Sequence, residues 1–228
     1  MQIHDHAATA DILSSEEVLF DIPLRKEYVL SQIGRGKRVL DVGCLGGKFS
    51  RLILENHNEV WGVEINGSAA EAARRRGVRV KVANVEEGLP FEDSSFDVIH
   101  AGEVVEHLYD TKLFFMECWR VLKDEGFALF TVPNLNCLEN RLKVMTGGYL
   151  SMAGAYPEDH FGEHVRVFNQ AKVQELCSQT GFKIDEIRGV PTLASQGKWL
   201  DAPLALAGRF LPGLSKLLMV KATKIRSS

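Results

Sequence analysis

Apolar residues along the chain fall in short runs that alternate with stretches of helical spacing, and glycine-bearing polar breaks separate the two. Arg38–Val42, Glu59–Val63, Val78–Val82, Phe96–His100 and Phe127–Val132 read as short strands. The first, with Val39, Leu40 and Val42, suits a strand covered on both faces. Ser50–Asn56, Ser68–Arg76 and Lys112–Leu122 read as the intervening helices. Phe20–Ile33 has helical spacing ahead of the first strand, and Gly34 and Gly36 end it. Asp93-Ser94-Ser95 and Asp124-Glu125-Gly126 read as turns. A helix over Gln170–Thr180, capped by Gly181, leads to a strand over Phe182–Arg188, and Leu214–Lys224 reads as the final strand. This alternation predicts an α/β fold built on a doubly wound, mostly parallel sheet with right-handed crossovers.

The rhythm breaks over residues 134–169. That stretch holds an amphipathic piece, Cys137–Met145, then Gly147-Gly148, then the polar and aromatic Tyr149–Phe161. A long irregular insertion at the carboxyl edge of a sheet predicts a cap over a substrate. The chain therefore reads as one domain, 1–228, with an N-terminal helical lead-in over 1–35 and a cap insertion over 134–169.

Composition narrows the class. With 228 residues, 45% of them hydrophobic, the chain has enough apolar surface for one sizeable core. A net charge of −3 gives no basic field for nucleic acid. The charge is uneven, with net −4 over residues 1–34 and net +5 over residues 196–228. Cys44, Cys118, Cys137 and Cys177 are widely spaced without a Cys-x-x-Cys pair, which predicts reduced thiols in a cytoplasmic protein rather than a zinc site. The N-terminus is acidic and has no apolar core of the kind a secretory signal needs, and no apolar run reaches transmembrane length. Trp199–Val220 is rich in leucine and alanine with scattered basic residues; a core-packing helix before the last strand is preferred there over peripheral contact with an anionic membrane.

The most informative stretch is Val39-Leu40-Asp41-Val42-Gly43-Cys44-Leu45-Gly46-Gly47-Lys48-Phe49-Ser50, a buried strand, a glycine-rich turn and a helix start. Such a turn makes a nucleotide-sized crevice at the carboxyl ends of the strands, with unpaired helix N–H groups beside it. Asp41 stands just before the first glycine, where it would repel a diphosphate and attract a cationic ligand. Glu64 ends the second strand at the spacing from which an acid accepts hydrogen bonds from a ribose diol. Alone, Glu64 reads equally well as a solvated strand-end acid or a helix N-terminal charge.

With these go Leu89-Pro90-Phe91, Ser95-Phe96-Asp97-Val98-Ile99, Glu106-His107-Leu108, Arg120-Val121-Leu122-Lys123 and Val132-Pro133-Asn134, in order over residues 36–134, with a weaker echo at His164–Phe168 and Gly181-Phe182. In these motifs the chain resembles class I S-adenosylmethionine-dependent methyltransferases of the small-molecule type, similar to ubiquinone-biosynthesis O-methyltransferases. Two positions depart from the usual pattern: Leu45 stands where glycine is common, and Asn84 where an aspartate often meets the adenine amino group. Leu45 would still offer its backbone N–H, and Asn84 its amide oxygen.

The resemblance implies a Rossmann-like, seven-stranded sheet whose last strand inserts antiparallel between strands five and six. It implies S-adenosylmethionine as cofactor and S-adenosylhomocysteine as product. It places Asp41 at the methionine amino group, directly or through water, and the backbone of Gly43, Cys44, Leu45 and Gly47 along the methionine and ribose. Glu64 would hold the ribose hydroxyls, and Ile65 would pack on the adenine. Asn84 and Val85 would read the adenine edge, while Ala101, Gly102 and Glu103 would close over the methionyl part.

The expected function is methyl transfer to an oxygen of a small-molecule acceptor. An alcohol acceptor needs a base, a phenol less so, and a carboxylate none. His107, His160 and His164 are candidates because histidine titrates near neutrality; His164 leads because it sits in the cap, where Tyr156 and His160 would share its pocket. Each of the three also reads as a surface or hydrogen-bonded structural histidine. Should a helix start right after the fourth strand, Glu103, Glu106 and His107 would share one face. With His160 or His164 they would then form a divalent-metal site like the Glu-x-x-Glu-His runs of small-RNA 2′-O-methyltransferases. The preferred reading there is a helix N-terminus stabilised by acids, with no metal. Two rival functions remain: a non-catalytic cofactor-binding scaffold on the same fold, and a nicotinamide oxidoreductase, which the acid before Gly43 and the absent G-x-G-x-x-G disfavour. The sequence leaves the acceptor, its attacking atom and the oligomeric state open.

Overall fold

The computed structural model describes residues 23–148, 164–190, 206 and 208–225. Seven strands form one sheet: β1 (Arg38–Val42), β2 (Glu59–Glu64), β3 (Arg79–Val82), β4 (Phe96–Gly102), β5 (Leu122–Pro133), β6 (Phe182–Val190) and β7 (Leu217–Lys224). Their order is β3-β2-β1-β4-β5-β7-β6. The first five run parallel, and β7 pairs antiparallel with both β5 and β6. The strand order reverses between β1 and β4, so the crevice opens at their carboxyl ends.

Six helices accompany the sheet: α1 (Pro23–Ile33), α2 (Lys48–Glu55), α3 (Gly67–Arg75), α4 (Thr111–Val121), α5 (Leu138–Met145) and α6 (Gln170–Gln179). They divide the apolar residues into two cores. One gathers Phe114, Phe115, Phe130, Phe182 and Leu218, with Phe115 stacked on Phe130 at 4.3 Å between ring centres. The other gathers Tyr28, Val29 and Ile33 of α1 with Phe49, Ile53 and the β1 side chain Val39.

Most boundaries agree with the sequence expectation to within a few residues. The fourth strand is longer than expected, running on to Gly102. Asp124-Glu125-Gly126, expected as a turn before the fifth strand, lies inside β5. There the register against β4 shifts from Phe96↔Leu122 to Val98↔Phe127, and Glu125 takes a φ of 65°. The extra residues form a bulge, so turn composition and strand pairing coexist. The insertion contains α5, close to the expected amphipathic piece; Tyr149, Tyr156, His160 and Phe161 lie outside the described residues, as do 1–22. Cys44, Cys118, Cys137 and Cys177 are all buried and unbridged. Among the described residues no helix is long and apolar enough to cross a membrane.

Close packing around the glycine turn is visible at Gly62 in β2. An alanine Cβ there would stand 2.5 Å from Cys44 Sγ and 3.3 Å from Val80 Cγ2. Overpacking of this kind costs about 1–3 kcal/mol, and each kcal/mol lowers the Tm of a chain this size by about 2–4 °C. Gly62→Ala is expected to melt earlier by that amount in a thermal scan; an unchanged Tm would mean that Cys44 yields at no cost.

Candidate functional site

The β1–α2 turn is held largely by its own backbone. The N–H groups of Gly43 and Cys44 both donate to Val63 O, at 2.8 and 3.2 Å, and Gly47 N donates to Cys44 O at 2.8 Å. Leu45 N donates to Glu64 Oε2 at 3.0 Å. The protein thus uses all four of these N–H groups itself, including the Leu45 N–H expected to be offered to a ligand. The turn offers shape and carbonyl oxygens instead. Gly47 carries a φ of 80°, and a Cβ on it would lie 2.7 Å from Ala73 Cβ, so the turn and the α3 helix touch here. Leu45 has a φ of 46°, which explains why glycine is the commoner residue at this place.

Asp41, expected at the methionine amino group, is held by protein partners of its own. It is buried, with Oδ1 2.7 Å from His100 Nδ1 and Oδ2 accepting from Ser50 Oγ at 2.5 Å. Its carboxylate ties β1 to β4 and to α2, and His100 packs on Phe49 with ring centres 4.8 Å apart. With two partners, this carboxylate keeps acceptor capacity for a ligand amine or a bridging water.

Glu64 stands at the end of β2, buried, accepting from Leu45 N and, at 2.8 Å, from Asn66 N. Burial raises its carboxyl above the usual glutamate range, against the pull of backbone hydrogen bonds from Asn66, Leu45 and Ile65. A carboxylate has about four acceptor sites, so two backbone donors leave room for a diol. Ile65 beside it is 67% exposed, and Val82, its neighbour across β3, is 50% exposed. Asn84 caps a short turn over Val85–Glu87, its Oδ1 accepting from Glu86 N at 3.1 Å. Part of the amide oxygen's capacity is thus spent on the chain, and one acceptor site remains.

At the carboxyl end of β4, Ala101 is buried within the strand and Gly102 pairs with Thr131. Glu103 follows with a φ of 57°. The shared face of Glu103, Glu106 and His107 was conditional on a helix starting right after the fourth strand; a three-residue turn, Val105–His107, follows instead. Glu103 stays in side-chain contact with Glu106. His164 arrives from the far end of the insertion, and ligand atoms of Glu106, His107 and His164 lie within 4.8 Å of one another. The rings of His107 and His164 meet edge-on, 4.9 Å between centres. Glu106 is almost fully buried, and among the described residues no donor from another residue reaches either oxygen unless a proton is shared with Glu103. Burial first, then the charge of Glu103, push its carboxyl well above the ordinary range. His164 also lines a small crevice with Pro133, Leu135, Arg166, Val167 and Phe168.

Two further residues here were not singled out by sequence. Arg25 on α1 is buried, acts electrostatically on Glu106, and packs so close to Gly102 that a Cβ there would lie 2.3 Å from its Nη2. The available signal was its place in the helical stripe with Tyr28, Val29 and Ile33. His100 is the other, readable only as the strand-four neighbour of Asp41.

The family model for the methyltransferase domain matches residues 40–130. A probable S-adenosylmethionine-dependent methyltransferase of Mycolicibacterium smegmatis is 32% identical over 171 residues, which cover 73% of this chain and 61% of that protein. The chain thus spans less than two thirds of that relative's length. The ubiquinone biosynthesis O-methyltransferase of Alkalilimnicola ehrlichii is 30% identical over 166 residues, covering 65% of this chain and 67% of the relative. A solved S-adenosylmethionine-dependent methyltransferase from Thermotoga maritima, described as a possible histamine N-methyltransferase, superposes with a TM-score of 0.68 at 19% identity, over 94% of this chain and 97% of that one. That likeness shows the shared fold.

Proposed function

The chain belongs to the class I S-adenosylmethionine-dependent methyltransferases, and from that premise we propose that this enzyme moves the methyl group to an oxygen of a small-molecule acceptor. The observation that carries the reading is the convergence of His164 on Glu106 and His107 at the carboxyl edge of the sheet, beside the cofactor crevice. The O-methyltransferase relatives support oxygen as the attacking atom.

Glu64 accepts from the ribose hydroxyls, Ile65 and Val82 give the adenine an apolar face, and Asn84 and Val85 meet its edge. The methionyl part lies over Gly102, where the Arg25 guanidinium is placed to meet its carboxylate. His164 takes the proton of the acceptor hydroxyl. When bound, the cofactor would supply an activated methyl on its sulfonium sulfur, which the acceptor oxygen would take while the C–S bonding pair returned to sulfur as the neutral thioether of S-adenosylhomocysteine. Alignment of oxygen and methyl can supply about 7–11 kcal/mol of the barrier reduction. With a methyl-deuterated cofactor and a panel of phenols, alcohols, carboxylates and amines, mass spectrometry should find the label on oxygen; transfer to nitrogen alone would overturn the reading.

A second reading is favoured by the two Glu106 oxygens, which among the described residues no donor from another residue reaches unless a proton is shared with Glu103. One carboxylate and two imidazoles suit a divalent first-row ion. Glu106, His107 and His164 would hold it, and it would act as a Lewis acid that lowers the pKa of an acceptor hydroxyl. Under this reading His164 serves as ligand, and the base is another group. Exhaustive chelation that leaves turnover intact would reject it.

The Glu106 carboxyl also predicts a trade-off. Its proton is held more tightly in the folded than in the unfolded chain. Its contribution to stability is therefore present at low pH and lost as pH rises from the ordinary glutamate range through the raised folded value. Glu106→Gln removes that loss. At neutral pH and without metal the variant should melt higher, on the scale of about 2–4 °C per kcal/mol, and the gain should vanish in acid. A Tm that falls at neutral pH would contradict this.

A further inference from the structure

We infer that Glu86 and Arg166 are positioning residues which, through the backbone of Tyr109, make cofactor binding on the adenine side set the place of His164. The inference rests on the reading that the adenine lies at the Asn84–Val85 turn.

The bridge is continuous. Glu86 sits in that turn, its own N–H held by Asn84 Oδ1. Its carboxylate grips two successive N–H groups, Tyr109 N at 2.6 Å from Oε1 and Asp110 N at 3.3 Å from Oε2. Tyr109 O in turn accepts from Arg166 Nη2 at 2.7 Å. Arg166 closes the chain with its backbone, donating from N to Glu106 O at 3.0 Å. Three segments far apart in sequence are thereby joined: the turn after β3, the link between the Val105–His107 turn and α4, and the return from the insertion. His164 lies two residues before Arg166.

The chemistry of each contact fits a positioning role. Glu86 is an anion at the entry to α4, where N–H groups and the helix dipole favour it. The Tyr109 carbonyl that Arg166 holds shares one peptide unit with the Asp110 N–H that Glu86 holds, so a shift at one end is passed to the other through that planar unit. Arg166 supplies a forked, fixed-charge donor that a lysine would not reproduce. On the far side of Arg166 the segment is already anchored, with Phe168 buried and bridged to Asn134, and Leu135 N donating to Phe168 O. The freedom left to residues 164–167 is therefore the freedom the bridge removes. Linkage makes the effect reciprocal: a cofactor that orders the Asn84–Glu87 turn steadies His164, and a fixed His164 segment favours the cofactor.

The test is hydrogen exchange on the full chain, read by mass spectrometry, with and without saturating S-adenosylhomocysteine. In wild type the product should slow exchange at the β1–α2 turn, at Glu64–Asn66 and at Asn84–Glu87, and also about fivefold or more at residues 164–168. In Glu86→Gln, at saturating product, the first three should remain protected while the effect on 164–168 is lost. Arg166→Gln should lose it in the same place, with Asn84–Glu87 still protected. As an independent readout, both variants should lose kcat with a smaller change in cofactor affinity. Wild-type protection that stops at Asn84–Glu87, or variants that protect 164–168 as wild type does, would overturn the inference. Product that protects the β1–α2 turn but leaves Asn84–Glu87 unchanged would overturn the adenine placement, and the inference with it.

Discussion

Replacing His164 by alanine is expected to slow methyl transfer about 10²–10⁴-fold, the usual effect of losing a general base, with cofactor affinity nearly unchanged. The separation follows from where the side chain comes from. His164 reaches the site from the end of the insertion and touches His107, whereas Glu64, proposed for the ribose, and Val82, proposed for the adenine, end β2 and β3. The measurement is kcat with a competent acceptor, paired with calorimetry of S-adenosylhomocysteine. A collapse of cofactor affinity would place the insertion in the cofactor site. An unchanged kcat would make His164 structural and leave an acceptor, such as a carboxylate, that needs no base. Tight cofactor binding with no transfer to any acceptor would favour a non-catalytic scaffold on this fold.

Glu64→Ala should weaken S-adenosylhomocysteine binding about tenfold to a hundredfold, the equivalent of losing charge-assisted hydrogen bonds worth about 1.5–3 kcal/mol. The same change strips an acceptor from Leu45 N and Asn66 N, so the β1–α2 turn should loosen and Tm should fall. Glu64→Gln separates the two effects. Its amide oxygen can accept one backbone N–H and keeps the side-chain volume, so its Tm should lie nearer wild type while affinity still drops. Calorimetry that gives equal affinity for all three proteins would remove Glu64 from the site.

The fold was readable because each strand and helix of the central alternation carries its own periodic signal, whereas the place of the antiparallel last strand came from the family resemblance and not from periodicity. The motifs were readable too, but several proved to hold one another together. Arg120 donates to Leu89 O and Phe91 O, Lys123 pairs with Asp97, and Asp97 accepts from Arg38 N. Asn134, at the end of β5, donates through Nδ2 to Gly213 O and Ser215 O. Asp41 belongs with these: a sequence gives the residue before the glycine turn but not the direction of its carboxylate, which depends on Ser50 and His100 coming from two other elements. The acid–imidazole cluster was half legible. Glu106 and His107 adjoin in sequence, whereas their meeting with His164 depends on how a segment after residue 163 returns to the sheet. Arg25 and Glu86 gave no motif, and Arg166 only a place in the weak His164–Phe168 echo, since an arginine in an apolar stripe and a surface glutamate acquire meaning only from distant partners.

The most direct test of the site is diffraction at the manganese absorption edge from crystals grown with S-adenosylhomocysteine and Mn²⁺. The account predicts the ribose on Glu64, the adenine against Ile65 and the Asn84–Val85 turn, and the product sulfur opening toward Glu106, His107 and His164, with an anomalous peak among those three if the metal reading holds. A nucleoside bound away from Glu64, or a sulfur facing away from His164, would contradict it.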